Sequence, residues 1–391
     1  MKVMMVAGEA SGDLHGAHLA RALLEREPSL ELLGMGGELM KEAGVRLLFN
    51  ATAVSAMGFV EVLRSVPLFR RLLARMQEVL DQERPDVLVL IDFPEFNMRL
   101  GERAHERSIP VVYYFSPSAW AWRRGRAKTV AAHATTVCAV FPFEAEVYRE
   151  AGANVEFVGH PLIDIVNVTR SPEQIRRELG CADAQPLIAL LPGSRKQEID
   201  HHMTPLVAAA RRIREAHPRA AFLLPLAHTI DRARVEPKVA DEPSITIVEG
   251  RTYDVLAAVD AALAASGTVT LEAALIGTPI AVFYRTSAST YWIAKRFYKR
   301  PHISLPNIIA EREIVEEILQ DEMTPQRLAE AALSLLDPAR RERIREGYDE
   351  VRRRLGGPGA VGRAADAVLR AASGGGGRAA QRTPVTGERP S

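Results

Sequence analysis

The sequence predicts an α/β protein built as two Rossmann-like domains facing one another across a cleft. Short β-branched or apolar runs alternate with amphipathic helical patterns, as parallel α/β folds require. That alternation occurs twice, on either side of a polar, charged stretch. At 391 residues the chain exceeds one ordinary core and suits two. In the first series the strands read "KVMMVA", "DVLVLID", "PVVYYFS", "TTVCAVF" and "VEFVG". Helical patterns such as "HLARALLERE" and "PLFRRLLARMQEVLDQ" lie between them, and "GMGGELM" reads as a turn. After "GHPL" the chain turns polar, "NVTRSPEQIRRELGCADAQ", which predicts a bridge. A second series follows: "PLIALLPG", "AAFLLPLA", "ITIVEG", "AALAAS" and "PIAVFYR", then helices to about Leu369. The tail "SGGGGRAAQRTPVTGERPS" offers almost nothing apolar to bury and is expected to be disordered. The expected boundaries are an N-terminal domain over 1–165, a linker over 166–185, a second domain over 186–340, helices over 341–372 and the tail over 373–391.

Composition narrows the function classes. Fifty Lys and Arg residues balance 49 Asp and Glu, so bulk electrostatic binding to nucleic acid is disfavoured. Cys138 and Cys181 stand far apart with no metal-ligand spacing, which fits a reducing compartment without disulfides or structural zinc. The first apolar run is broken by Gly8 and Glu9, too short for a signal peptide, and no run is long enough to span a bilayer. A soluble protein, or one attached to a membrane surface, is expected.

The second half carries the better phosphate sites. "LIALLPGSRKQEI" puts Gly193, Ser194 and Arg195 between a strand and a helix start. Backbone N–H groups there favour anions, the hydroxyl adds a donor, and a guanidinium grips two phosphate oxygens. "DAALAASGTVTLEAALIGTPI" gives a second such turn, Ser266, Gly267 and Thr268, with Glu272 about one helical turn further on. A carboxylate so placed suits two vicinal ribose hydroxyls. Either turn alone reads equally as a capped helix; two at strand ends in one domain favour a nucleoside diphosphate. No GK[ST] follows either turn, and GxGxxG is missing from the first βα turn, so Walker-type hydrolysis and dinucleotide redox chemistry are disfavoured. "DHH" at Asp200–His202 is the nearest metal candidate and reads as a solvated helix face. A nucleotide held without metal suits a leaving group.

The first turn poses a different question. "AGEASGDLHG" has the glycines of a phosphate loop yet carries Glu9 and Asp13 and no base. "VLVLIDFPEFN" sets Asp92 at the carboxyl end of an apolar strand, where α/β clefts keep functional groups. The residues leave two roles open for Asp92: a general base, or a cap for the turn that follows.

Taken together, "AGEASGD", "MGFVEVL", "IDFPEFN", "SPSAWAWR", "FPFE", "FVGHPL", "LLPGSR", "SGTVTLE" and "SLPN" resemble the lipid-A-disaccharide synthase family, in that order, over about Val3 to Leu336. The resemblance implies a GT-B fold, an inverting and metal-independent hexosyl transfer, and a nucleotide held by the C-terminal domain. It implies UDP-2,3-diacylglucosamine as donor and 2,3-diacylglucosamine 1-phosphate (lipid X) as acceptor, with UDP and the β-1,6-linked lipid A disaccharide 1-phosphate as products. It makes Asp92 the expected general base and Glu9 the second choice. It adds Ser11 and Asp13 to the acceptor site and Arg285 and Asn307 to the nucleotide site; Trp120 and Trp122 read as acceptor contacts or core packing, His15 as a cleft or a surface residue, and His160 as an acceptor contact or a hinge residue. It places the protein peripherally on the cytoplasmic face of an inner membrane, with no cofactor. "MGFVEVLRSVPLFRRLLARM" then gains a membrane reading: Val60, Leu63, Val66 and Phe69 toward lipid, with Arg64, Arg70 and Arg71 at anionic headgroups. Its competitor is an ordinary helix packed on the sheet. Another UDP-sugar enzyme, such as a murein-type glucosaminyltransferase or an epimerase, and a non-catalytic UDP-sugar-binding protein remain as alternatives.

Overall fold

The structure, a computed structural model, describes residues 1–50, 66–117, 124–227, 229–287, 291–292 and 301–374. The chain forms two compact units, Met1–Val158 joined by the chain from Val361 on, and Gly159–Ala360. Each is a parallel α/β unit and is described by itself.

The first unit is a seven-stranded parallel sheet in the order β3-β2-β1-β4-β5-β6-β7. Its strands are β1 (Lys2–Ala7), β2 (Glu31–Gly36), β3 (Arg46–Asn50), β4 (Val87–Ile91), β5 (Val111–Tyr114), β6 (Thr136–Ala139) and β7 (Val155–Phe157). Continuous apolar runs such as Val87–Ile91 are buried throughout, as strands covered on both faces must be. The chain moves outward one way from β1 and the other way from β4, which are neighbours in register Val3↔Val87 to Ala7↔Ile91. A topological switch point therefore lies beyond Ala7 and Ile91.

The second unit repeats the plan with six parallel strands, β10-β9-β8-β11-β12-β13. They are β8 (Leu187–Leu191), β9 (Ala221–Leu226), β10 (Ile245–Glu249), β11 (Ala261–Ala265), β12 (Ile280–Tyr284) and β13 (Glu317–Leu319). β8 and β11 are the neighbours at its switch point. The glycine-serine-arginine and serine-glycine-threonine turns leave from these two strands.

Three strands escape the sequence reading. β2 contains Gly34 and Gly36, which weaken a strand signal. Gly34 is nevertheless required there, because at φ 146° an added Cβ would sit 1.9 Å from the Met5 carbonyl oxygen of β1. β3 is an edge strand, and β13 has only three residues. The units also divide differently from expectation. The change falls at 158/159, and the supposed linker packs in the second unit, where Ser171 caps the helix Pro172–Glu178. The final helix Ala360–Ala372 serves the first unit beyond its opening residue. There Asp366 meets Arg26 at 2.6 Å, and Arg363 donates to the Val158 carbonyl at 2.8 Å. The tail from 375 lies outside the described residues.

Candidate active site

At the first unit's switch point the two acidic motifs come together. Glu9 precedes the helix Ala10–Arg26 and is exposed, and the Ser11 hydroxyl donates to Asp92 Oδ2 at 3.4 Å. Asp92 is half-buried, with φ 52°, and Phe93 follows at φ 55°. The Asp92 Oδ1 accepts from the Phe93 N–H at 2.9 Å, so one oxygen closes its own turn while the other meets Ser11. One carboxylate oxygen thus closes its own turn while the other bonds a residue of the first βα turn.

The glycines of this turn admit protein where a phosphate was the alternative. A Cβ on Gly8 would fall 2.4 Å from the Phe93 ring, and one on Gly16 would fall 2.6 Å from the Met40 sulfur. Asp13 is likewise committed to structure. Its Oδ1 accepts from the Gly37 and Met40 N–H groups at 2.6 and 3.1 Å, and its Oδ2 from Leu39 at 3.2 Å. Those amides open the helix Glu38–Glu42, where a carboxylate also complements the helix dipole. The acceptor role expected of Asp13 is corrected to that of a buried cap.

His15 is neither a surface nor an open-cleft residue. It is buried, stacks on Phe115 with ring centroids 4.0 Å apart, and burial pushes its pKa down to about 3. It supports the site through Phe115, whose carbonyl accepts from the Asp92 N–H at 3.1 Å. His160 belongs to the second unit, is buried, and its Nδ1 accepts from the Leu162 N–H at 3.2 Å. Trp120 and Trp122 lie outside the described residues.

In the second unit Gly193 turns at φ 117° and Arg195, largely exposed, precedes the helix Lys196–Ala216. The amides expected to hold phosphate already hold a carboxylate. Glu198 Oε2 accepts from the Ser194 and Arg195 N–H groups at 2.9 and 3.1 Å, and Oε1 from the Arg195 guanidinium at 3.0 Å. The Ser194 and Arg195 amides are therefore engaged within the protein, while the Arg195 side chain is largely exposed. On the neighbouring turn the Ser266 hydroxyl donates to the Ile303 carbonyl at 2.9 Å, while Gly267 and Thr268 are exposed at the start of the helix Thr268–Ile276. Glu272 accepts from the Tyr253 hydroxyl at 3.2 Å, and burial pushes its carboxyl up to about 7. A carboxyl shifted this far is poised between its neutral and ionised forms around neutral pH.

Two expected nucleotide ligands turn out to be structural. Asn307 is fully buried and makes four hydrogen bonds: its amide donates to the Val315 carbonyl and Glu317, and its oxygen accepts from Ile314 and Val315. That exhausts an asparagine side chain. Arg285 donates to the Gln320 carbonyl at 2.9 Å and the Met323 carbonyl at 2.8 Å, bracing the turn after β13. His202 is also corrected. It is buried rather than solvated; Nδ1 faces the Pro192 carbonyl at 2.7 Å, and Nε2 accepts from the Arg285 N–H at 3.1 Å. Among the described residues no group of three His, Cys, Asp or Glu is placed to hold a metal.

Sequence reasoning missed Glu198, Tyr253 and Glu317. Glu317 accepts from the Ile303 and Ser304 N–H groups, the Ser304 hydroxyl and Asn307, fastening the "SLPN" loop that in turn holds Ser266. Only the Glu at the third helical position after "GSR" had a readable signal, that of a capping partner. On the helix Val66–Glu83, Met76 and Leu80 are buried on the sheet and Leu72 is half-buried, so the ordinary packing pattern holds there. Phe69 is half-buried, edge-on to Phe96, with the Arg99 guanidinium 5.8 Å over its ring. Arg70 and Arg71 are exposed. Val60, Leu63, Arg64 and the side chain of Val66 lie outside the described residues. No described helix is long and apolar enough to cross a membrane.

Comparison with known proteins agrees with this geometry. The family model for lipid-A-disaccharide synthetase matches residues 3–370. A lipid-A-disaccharide synthase of Syntrophus aciditrophicus is 41% identical, covering 94% of this chain and 97% of its own. One from Myxococcus xanthus is 42% identical with the same coverage. Among solved structures, the S. aureus MnaA–UDP complex superposes with TM-score 0.64 at 16% identity, over 94% of this chain and 96% of that one. The UDP-GlcNAc 2-epimerase of Neisseria meningitidis bound to UDP-GlcNAc gives 0.63 at 12% identity, over 95% and 99%. These distant likenesses show the GT-B type of fold alone. Two parallel α/β units, matched from end to end by close relatives of one activity, establish that the chain belongs to the lipid-A-disaccharide synthase family, glycosyltransferases of lipid A biosynthesis.

Proposed function

We propose that the chain transfers 2,3-diacylglucosamine from its UDP conjugate to 2,3-diacylglucosamine 1-phosphate, giving the β-1,6-linked disaccharide 1-phosphate and UDP. The observation that carries this reading is the pairing of Ser11 with Asp92 at the first unit's switch point, two residues 81 apart in sequence. Asp92 takes the proton of the acceptor hydroxyl. The oxygen attacks the anomeric carbon, the carbon–phosphate-oxygen bond breaks with inversion, and UDP leaves with the electron pair. Glu9, exposed beside this pair, orients the acceptor. The second unit holds UDP through Arg195, Ser194, the Ser266–Thr268 turn and Glu272. Arg195 and the helix dipoles offset the charge developing on the leaving diphosphate, a task that other enzymes give to a metal.

Acyl-chain substrates also call for a lipid surface. Exposed Arg70 and Arg71 favour an anionic bilayer on the cytoplasmic face of an inner membrane. Purified protein mixed with both diacyl sugars is expected to release UDP only when lipid X is present, and without added metal. Asp92→Asn is expected to cut turnover by about a hundredfold or more while leaving UDP affinity unchanged. UDP release independent of lipid X would point to a different acceptor, and near-normal turnover by Asp92→Asn would remove Asp92 from the chemistry.

A further inference from the structure

We propose that Asn97 is the positioning residue for Asp92: its buried amide clamps the left-handed turn that presents the carboxylate. The inference rests on the reading of Asp92 as general base.

Two consecutive non-glycine residues, Asp92 and Phe93, hold φ of 52° and 55°, a region in which Cβ crowds the backbone. Such a pair persists only where its surroundings overdetermine it, and it tends to mark a functional turn. Asn97 supplies that constraint from the first turn of the helix Pro94–Glu106. It is fully buried, and its Nδ2 donates to the Asp92 carbonyl at 2.6 Å, with the Ile91 and Val6 carbonyls at 3.3 and 3.4 Å. One amide thus ties the ends of the two switch-point strands, β1 and β4, to the strained residue. Its own N–H donates to the Phe93 carbonyl at 3.0 Å, closing the same turn from the other side.

The opposite end of the side chain shows what the residue is for. Asn97 Oδ1 is buried with no hydrogen-bond donor beside it. A leucine would fill this space without an orphaned oxygen, but it would remove the 2.6 Å donor to the Asp92 carbonyl. The amide is oriented for the turn at the expense of its own acceptor. Asn97 is held in turn from behind, because the Tyr113 hydroxyl donates to its carbonyl at 3.2 Å and meets His133 Nε2 at 2.8 Å. Released from Asn97, the Asp92 backbone relaxes toward ordinary φ. Oδ2 then leaves Ser11 and the line of the acceptor hydroxyl, a misplacement of the kind that costs about a hundredfold in rate.

A residue that merely stabilised the first unit would affect turnover regardless of what stands at 92. The test is therefore a cycle of Asn97→Ala, Asp92→Asn and the double variant, with kcat, KM for lipid X and UDP affinity measured on the full chain. Asn97→Ala is expected to lower kcat by roughly ten- to a hundredfold with KM within about threefold. In the Asp92→Asn background it is expected to cost no more than about twofold, because there is no base left to misplace. Thermal melts confirm that each variant is folded. If Asn97→Ala does not fold, Asn97→Ser, which keeps one donor, takes its place in the cycle with an intermediate loss expected. An equal penalty in both backgrounds, or unchanged kcat, overturns the proposal while leaving Asp92 as base. Wild-type turnover by Asp92→Asn removes the base and the proposal together.

Discussion

The ribose role proposed for Glu272 predicts that nucleotide binding depends on pH, in a direction set by its raised carboxyl. Burial raises its carboxyl from an ordinary 4.5 to about 7, with the Tyr253 hydroxyl pulling slightly the other way. Two ribose hydroxyls donate far more strongly to the ionised form than to the neutral acid, so binding favours the carboxylate and expels a proton from the remainder. With a midpoint near 7, about one molecule in eleven is ionised at pH 6 and about ten in eleven at pH 8. Affinity should therefore rise about tenfold across that interval, some 1.4 kcal/mol. The ligand should be a UDP-sugar, whose esterified phosphates do not titrate there. Isothermal calorimetry in two buffers of different ionisation enthalpy should register roughly half a proton released at pH 7. Glu272→Gln should bind more weakly at pH 8 and show neither the slope nor the proton. Without ligand the sign reverses. The raised pKa contributes stability that is complete below 4.5 and lost as pH rises through 7, so Glu272→Gln gains on the wild type over that window. Wild-type affinity that is flat from pH 6 to 8, with no proton exchanged, would refute the ribose assignment.

The remaining predictions concern one carboxylate that sequence reasoning missed, Glu198, and one whose role it placed elsewhere, Asp13. Glu198→Gln frees the Ser194 and Arg195 amides and the Arg195 guanidinium from a resident anion, so UDP should bind several-fold more tightly, about one hydrogen bond's worth; Arg195→Ala should weaken UDP and donor together. Weaker UDP binding by Glu198→Gln would show that the carboxylate organises the loop for the ligand and does not compete with it. Asp13→Ala removes the acceptor of three amides at the helix Glu38–Glu42 and should cost about 1–3 kcal/mol in a denaturant melt, with UDP affinity unchanged.

Much of the architecture was legible because buried parallel strands announce themselves as apolar runs. β4, β5, β8, β11 and β12 each lie within a residue or two of the quoted stretch. The strands that were missed are those where tertiary packing overrides local signal: β2, whose Gly34 reads as a turn until the Met5 carbonyl lies against it, and the short edge strand β13. At the site, Asp92 and Ser266 were singled out from their place after strands, Glu272 from lying one helical turn further on, and Ser11 only through the family resemblance. Roles were less so, because a side chain's partners are remote in sequence. Asn307 and Arg285 match family motifs, yet the first has all four hydrogen bonds inside the protein and the second grips the carbonyls of residues 35 and 38 positions away. Asn97 was quoted within "IDFPEFN" and passed over, since nothing in the sequence shows that Asp92 turns left-handed.

The acidic first loop follows from the same logic. A Rossmann turn is glycine-rich when something must approach its backbone closely, and phosphate is only one such visitor. Here Phe93 fills the space over Gly8 and Met40 the space over Gly16, so the loop has the glycines of a phosphate site without its vacancy. With anions thus excluded by packing, carboxylates become admissible, and one of them, itself buried, caps the helix Glu38–Glu42 while another stands exposed beside Asp92. In the second unit the equivalent strand end keeps an exposed arginine and hydroxyls, and its single intruding carboxylate, Glu198, is neutralised by that arginine. The two sheets share the same strand order around their switch points, and the proposed division of acceptor activation and diphosphate between them follows from which side chains fill the backbone donors at each. Exchanging the loops alone would therefore not exchange the roles, because Phe93, Asn97, Glu198 and Glu317 reside on the elements that follow.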